Sequence, residues 1–383
     1  MSKVITVKDK NFYKQDGTPF IPKGINMICK AKERGYIGPY TEKDFKFLKD
    51  HGFNLIRLGI FWDGAEPEPG VYSEAYFNEL DKIIKMAAAE DIPVFLDMHQ
   101  DLFSSVYEDG APAWATLSDG CEHIRTDLWS ESYLVSEAVQ CSFDKFWENE
   151  EAPDGIGIRS HFVKLWKTIA ARYAENPYVI GYDVFNEPFP GTPGRKVFET
   201  LMTFAAEAGV SDIAEIADPS VLYKIIEAIE PITGKFEEEV LNPFYSEVCG
   251  AIREVDPDTI FMFESNYFAN AGIPSHVSPA LDKNGLPYKN QAYVPHGYDI
   301  LVDTEDYSAG GTERIDMIFE ALGYVIEALP VPTLIGEWGC YPNASEAQLS
   351  QARHLLSIFD RLGIGHAYFD FSHLYDGGII SIF

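Results

Sequence analysis

Two glutamates close largely apolar runs that a chain breaker then stops. Val179 to Phe185 leads into Asn186, Glu187 and Pro188, and Leu334 to Gly336 leads into Glu337, Trp338 and Gly339. A strand covered on both faces reads as such a run, and in an α/β barrel the chemistry sits where strands pass into βα loops. Two carboxyls delivered to one rim are the equipment of glycoside hydrolysis. One protonates the leaving oxygen while the other attacks the sugar carbon or activates water, so the two must stand in different environments.

Strands and helices must alternate to place them. Eight strand candidates occur: Phe20 to Met27, Asn54 to Trp62, Pro93 to Gln100, Tyr178 to Glu187, Thr259 to Glu264, Ala292 to His296, Thr333 to Glu337 and His366 to Phe371. Helical spacing is clearest at Phe162, Leu165, Trp166, Ile169, Tyr173 and at Ile315, Ile318, Phe319, Leu322, Val325, Ile326, Leu329. Each helix leads into another strand, so parallel order is the simplest topology. The expectation is a (β/α)8 TIM barrel forming one catalytic domain over residues 1–383. Val4 to Phe20, with a turn at Asp16 and Gly17, reads as a hairpin closing the barrel's bottom. Two connections exceed simple loops, 101–155 after strand three and 189–234 after strand four. Connections of this length at a catalytic rim build substrate clefts. Val197 to Ala208 and Pro219 to Ile229 read as helices of a small cap in the second. After strand eight about ten residues remain, where a complete barrel adds a helix, which points to truncation or an unusual closure.

Composition narrows the class. Sixty acidic against 30 basic residues give a net charge of -30, which repels phosphate backbones and anionic membranes and disfavours nucleic acid as a partner. Cys29, Cys121, Cys141, Cys249 and Cys340 are sparse, odd in number and without a CxxC spacing, so free thiols are expected. The amino terminus has no apolar stretch of signal-peptide length and no segment reaches 18 consecutive apolar residues, so no membrane insertion is expected, and localisation stays open. The oligomeric state is unspecified, with monomer the default.

Further residues join the glutamates in register: Arg57 on strand two, His99 on strand three, Asn186 beside Glu187 on strand four, His296 and Tyr298 on strand six, and Glu337 on strand seven. This set resembles glycoside hydrolase family 5. Within it, Leu96 to Ser104, Gly110 to Thr116, Ser142 to Trp147 and Asn186 to Phe189 are similar to the endoglycoceramidases, and the similarity runs from about Lys23 to the end of the chain. The resemblance implies a (β/α)8 barrel, retention of configuration, no cofactor, and cleavage between a glycan and a ceramide-like aglycone. Glu187 is then the acid/base and Glu337 the nucleophile, with Arg57 and Tyr298 holding Glu337 ionised and Asn186 bonding the sugar 2-hydroxyl. In a retaining enzyme the carboxyls stand about 5 to 5.5 Å apart. His99 and His296 complete the polar wall, Asp101 and Lys32 match positions contacting the glucose next to the lipid, and Trp147 is a stacking platform.

Two departures bear on specificity. Strand eight of the family usually delivers a Trp, and here Phe369 stands in its place, with a smaller face and no indole donor. The endoglycoceramidases also carry a C-terminal β-sandwich, absent from this chain. Alternatives are a β-glucosidase acting on simpler glucosyl lipids or steryl glucosides, a family 5 β-glucanase, and a carbohydrate- or lipid-binding barrel that has lost catalysis. Glu264, closing strand five, imitates the catalytic pair and is expected to be structural. His99 with Asp101 is too small a set for a metal site without a third ligand, so no metal is expected.

Overall fold

The computed structural model describes residues 2–208, 219–299, 302, 312–340, 345–375 and 379–383. Eight parallel strands form the barrel: β4 (Lys23–Met27), β5 (Leu55–Ile60), β6 (Val94–Met98), β7 (Val179–Asp183), β8 (Ile260–Phe263), β9 (Gln291–Tyr293), β10 (Leu334–Trp338) and β11 (Gly365–Tyr368). Hydrogen-bonded pairing runs β10-β11-β4-β5-β6-β7-β8-β9, and the circle closes through parallel bridges Tyr293 to Thr333 and His296 to Glu337. The expected TIM barrel is therefore borne out, one strand overlapping each expected run, with β9 and β11 starting one residue earlier and β10 ending one residue later than expected.

Below the barrel, β1 (Ile5–Lys8), β2 (Asn11–Lys14) and β3 (Pro19–Phe20) form an antiparallel sheet. Ile5, Phe12 and Phe20 pack in one cluster with Leu55, Phe95, Ile180, Ile260 and Leu334 from the barrel strands, so the apolar face of this small sheet plugs the lower end. The longer helices are α1 (Glu42–Asp50), α2 (Glu74–Ala89), α3 (Glu137–Glu148), α4 (Ile158–Tyr173), α5 (Thr192–Ala208), α6 (Pro219–Phe236), α7 (Asn242–Arg253), α8 (Glu313–Ala328) and α9 (Glu346–Leu362). The helical stripes at Phe162 to Tyr173 and Ile315 to Val325 are buried on α4 and α8.

In the second long connection, α5 and α6 are longer than the expected Val197 to Ala208 and Pro219 to Ile229. Residues 209–218 lie outside the described residues. Past Pro231, α6 continues into a π-helical turn, Glu237–Leu241, before α7. After β11 come two 3-10 turns, Phe371–Tyr375 and Ile379–Ile382, and the Phe383 ring packs on Phe53 and on the fully buried Trp338. No helix among the described residues is long and apolar enough to cross a membrane, and the five cysteines are unpaired.

Candidate active site

Arg57, at the middle of β5, is fully buried and organises the upper barrel. Its Nε donates to Asp183 Oδ2 at 2.9 Å, Nη1 to Asn26 Oδ1 at 3.2 Å and to Glu337 Oε1, and Nη2 to Asn186 Oδ1 at 2.9 Å and Glu264 Oε1 at 3.0 Å. Asp97 Oδ1 stands 3.0 Å from the same Nη2. A buried guanidinium costs several kcal/mol to desolvate, and its partners must saturate the planar fork to recover that. Carboxylates from β6, β7 and β10 and from the loop after β8 do so.

The β7 ladder ends at Asp183, four residues short of Glu187, because the chain turns there into the rim. Glu187 has φ 44°, a left-handed conformation that non-glycine residues avoid at a cost of about 1–3 kcal/mol. Neighbouring hydrogen bonds enforce it. Its N–H donates to Glu264 Oε2 at 2.9 Å, Gln100 Nε2 donates to the Asn186 carbonyl at 2.8 Å, and the Asn186 N–H reaches the Met98 carbonyl at 3.1 Å. Glu264 thus supports the Glu187 turn through one oxygen and Arg57 through the other, the structural role expected for it.

Glu337 lies within β10. Arg57 takes its Oε1, and the Tyr298 hydroxyl donates to Oε2 at 3.1 Å. The residue after Tyr298 is fixed in turn, because Arg314 of α8 grips Asp299 with two bonds of 3.0 and 2.8 Å. His296 Nδ1 stands 2.8 Å from Glu187 Oε1 and 3.6 Å from Glu337 Oε2, and its Nε2 lies 3.3 Å from Glu264 Oε1. One oxygen of Glu187, one of Glu337 and a nitrogen of His296 all fall within 4.8 Å of one another.

The two carboxyls titrate in opposite directions. Burial pushes Glu187 above the usual carboxylate range, with Glu337 and Glu264 adding to it and His296 only partly offsetting it. Burial also opposes ionisation of Glu337, but the positive charges of His296, Arg57, His99 and Lys30 outweigh it and hold this carboxyl below that range. His296 itself is raised well above an ordinary imidazole, because Glu264, Glu337 and Glu187 outweigh its burial.

A second polar wall lies across the cavity. His99 Nδ1 is 2.8 Å from Asp97 Oδ2, and its Nε2 is 3.7 Å from Asp101 Oδ2. Burial would lower this histidine, but the two aspartates outweigh it and raise it to about 10. Asp101 is buried and ion-paired with Lys30, and its N–H donates to Asp109 Oδ1 at 2.9 Å. Lys30 and His99 overcome burial to hold Asp101 at about 2, while burial and the charge of Asp101 push Asp109 up to about 7. His99, Asp101 and Asp109 bring ligand atoms within 4.8 Å of one another, the spacing a cation needs. Lys30 is paired there with Asp101, and Arg57 fills the same charge role among Asp97, Asp183 and Glu264.

These groups line a cavity of about 580 Å³ whose wall also includes Trp129, Tyr267, Phe268, Asn270 and Phe369. Of the residues singled out in the sequence, Glu187, Glu337, Asn186, Tyr298, His99, Asp101 and Phe369 line it, and Arg57 and His296 support it from beneath. Two expectations need correction. Lys32 turns away, pairing with Asp63 at 2.8 Å and Ser105 at 3.1 Å, and Lys30 takes the place beside Asp101 because the 3-10 turn Lys32–Arg34 carries the later lysine outward. Trp147 is a core residue. Its Nε1 donates to the Phe189 carbonyl at 2.9 Å and its ring packs among Phe146, Phe185, Phe236 and Phe244. The stripe Val139, Phe143, Phe146, Trp147 on α3 carried that signal, being the buried face of an amphipathic helix. The exposed aromatic at the cavity is Trp129, with Lys30 Nζ 5.8 Å from its ring centroid and 5.6 Å from that of Phe369. Phe369 in turn lies nearly parallel to His99, with centroids 6.5 Å apart.

Known proteins share this architecture. The chain is 28% identical over 307 residues to an endoglycoceramidase of Cyanea nozakii, covering 72% of this chain and 52% of that protein. It is 23% identical over 363 residues to endoglycoceramidase I of Rhodococcus hoagii, covering 91% and 64%. The chain thus spans between half and two thirds of the length of these relatives. Endo-glycoceramidase II from Rhodococcus sp., solved as a ganglioside GM3 complex, superposes with a TM-score of 0.76 at 26% identity, covering 94% of this chain and 76% of that one. The same enzyme is known as a lactosyl-enzyme intermediate. The family model of Cellulase (glycosyl hydrolase family 5) matches residues 13–374. Because that match extends from the sheet beneath the barrel to the turn after its last strand, the chain belongs to glycosyl hydrolase family 5.

Proposed function

We propose that this chain is a retaining β-glycoside hydrolase that cleaves the glycan-to-ceramide bond of glycosphingolipids. The observation that carries the reading is the pair Glu187 and Glu337, with oxygens within 4.8 Å of one another and environments that push one carboxyl up and the other down. An inverting pair needs about 6.5–9.5 Å to admit a water between sugar and base. In this reading Glu337 attacks the anomeric carbon while Glu187 gives its proton to the glycosidic oxygen, and the aglycone leaves from a covalent glycosyl-enzyme. Glu187, now a carboxylate, takes a proton from water, which displaces Glu337 with net retention. Arg57 and Tyr298 keep Glu337 ionised. One Asn186 Nδ2 hydrogen goes to the Gln100 carbonyl at 3.1 Å, and the other serves the sugar 2-hydroxyl. No cofactor enters either step.

The cavity's lining supports a lipid aglycone. The leaving group sits beside the acid, and the turn after β8 that reaches Glu187 through Asn270 also brings Tyr267, Phe268 and Ala271 to the cavity wall. Lys30, Asp101 and His99 of the same cavity are charged and suit sugar hydroxyls, with Trp129 and Phe369 as the ring faces. The similarity to endoglycoceramidases supports a ceramide-like aglycone. In this reading residues 1–383 act as one catalytic unit, with 101–155 and 189–234 as rim insertions that shape the cleft.

A panel of glucosylceramide, lactosylceramide, larger glycosphingolipids and steryl glucoside, with released ceramide and glycan quantified and the product anomer followed by NMR, tests the proposal. Intact glycan and free ceramide from lactosylceramide, with the β anomer formed first, are expected. Inversion overturns the role of Glu337. Exclusive action on single-glucose lipids replaces the endo reading by a β-glucosidase, which the smaller Phe369 face favours.

A further inference from the structure

Asn270 sits on the 3-10 turn Tyr267–Ala271 and donates from Nδ2 to Glu187 Oε1 at 2.7 Å. His296 Nδ1 approaches the same oxygen at 2.8 Å. Two donors thus meet Oε1, as many as its two lone pairs accept, and among the described residues no hydrogen bond reaches Oε2. A proton held by Glu187 therefore belongs on Oε2.

The turn that presents Asn270 is itself pinned from both sides by one carboxylate. Glu237 opens the π-helical turn that continues α6 and is fully buried. Its Oε1 accepts from Asn266 N and Asn266 Nδ2, each at 2.8 Å, and from Ser275 Oγ at 2.9 Å, while Oε2 accepts from Ser275 Oγ at 3.0 Å and from the His276 N–H. Asn266 caps the turn by accepting from Phe268 N at 3.0 Å. At its other end Gly272 has φ 86°, and a Cβ there would stand 3.2 Å from Ile318 Cα, so the turn is seated directly on α8. A π-turn inserted into a helix is frequently found at functional sites, and here it delivers the carboxylate that fixes the segment 266–276.

We propose that Asn270 is a positioning residue for the acid/base: with His296 it saturates Oε1 of Glu187 and so directs the transferable proton to Oε2, the oxygen left for the glycosidic bond. The inference rests on the reading of Glu187 as the acid/base. A donor to a carboxylate favours its ionised form, so Asn270 also restrains the upward pull that burial exerts on Glu187.

The test compares kcat/KM for phenyl and 2,4-dinitrophenyl β-lactosides in the full chain and in Asn270→Ala. Dinitrophenolate departs without protonation, whereas phenolate needs the acid. Phenyl lactoside cleavage is expected to fall about tenfold and dinitrophenyl cleavage by less than about twofold. The alkaline limb of the pH profile, which reports the free enzyme's acid, is expected to move to higher pH. Equal losses on both substrates, an unchanged phenyl rate, or an alkaline limb that stays or moves down overturns the proposal. Asn270→Asp, which keeps the volume while replacing the donor with a negative charge, is expected to move the alkaline limb up as well and serves if the alanine variant does not fold. Glu187→Gln separates this inference from the reading beneath it. That variant must lose far more on phenyl than on dinitrophenyl lactoside, and equal losses there refute the acid/base role itself, whatever Asn270→Ala does.

Discussion

Tyr298→Phe isolates what one hydroxyl does for Glu337, the proposed nucleophile. Arg57 serves Oε1 of Glu337, and Oε2 has the Tyr298 hydroxyl at 3.1 Å, with His296 Nδ1 the next donor at 3.6 Å. The substitution keeps the ring and removes a single donor to a charged acceptor. Such a bond contributes about 1.5–3 kcal/mol, and about 1.4 kcal/mol is a factor of ten, so its full loss corresponds to roughly ten- to a hundredfold. Two effects adjust this. Tyr298 is partly exposed, so water can replace some of the lost donation. Against that, Oε2 loses its anchor, and a nucleophile misplaced by about 1 Å loses on the order of a hundredfold. The expected outcome is a fall of about 10–50-fold in kcat/KM for 2,4-dinitrophenyl β-lactoside at neutral pH. Glu337 is held below the usual carboxylate range by positive neighbours. Removing a further stabiliser of its charge raises its pKa, so the acid limb of the profile moves toward neutral pH. A loss below about twofold with an unmoved acid limb, or an acid limb that moves to lower pH, refutes the assignment of this hydroxyl to Glu337.

Three further outcomes follow from the geometry. Lys30→Met raises KM for lactosyl substrates at least tenfold by removing the partner of Asp101, whereas Lys32→Met stays within about twofold because the Lys32 side chain is exposed and pairs with Asp63 and Ser105 rather than Asp101; equal effects in steady-state kinetics would contradict their placement. Trp147→Ala lowers stability by about 3–5 kcal/mol in urea titration, and Trp147→Leu, which keeps an apolar side chain but removes the ring face, leaves KM unchanged, an outcome that a sugar-stacking role forbids. Asp109 is raised to about 7, so between the unfolded value near 3.8 and pH 7 the unfolded chain ionises while the folded one does not, and stability falls as pH rises. Asp109→Asn keeps the acceptor for the Asp101 N–H and is expected to stabilise by about 1–2 kcal/mol at pH 8 with no gain below about pH 4. A stability difference that does not change with pH in thermal melts contradicts this.

What could be read from the sequence was what a strand end fixes locally. Arg57, His99, Asn186, Glu187, His296, Tyr298 and Glu337 lie on barrel strands or within a few residues of their ends, so identifying the strands places them at one rim. Position within a loop is not local in this sense. Lys30 and Lys32 are two residues apart, and only the 3-10 turn decides which faces Asp101. Trp147 looked like a platform because tryptophan suits sugars, while the apolar stripe on its helix pointed to packing. Asn270, Trp129 and Asp109 belong to no run or motif. Asn270 is placed by Glu237, more than thirty positions upstream, through bonds that periodicity does not encode. Phe369 was legible as a substitution, but its parallel arrangement with His99 was not.

The Glu237 carboxylate also constrains how this barrel can change. It joins two rim segments separated in sequence by all of α7 and β8, so their substitutions are coupled rather than additive. Exchanging residues 189–241, the insertion after β7 together with the π-helical turn that follows it, for a segment lacking this glutamate would remove the acceptor for Asn266, Ser275 and His276 and leave four buried or half-buried donors unpaired. Exchanging it together with residues 264–276 would carry the lock and its key across as one piece. New substrate preferences on this barrel are therefore more readily acquired by recombining the paired segments than by altering either alone.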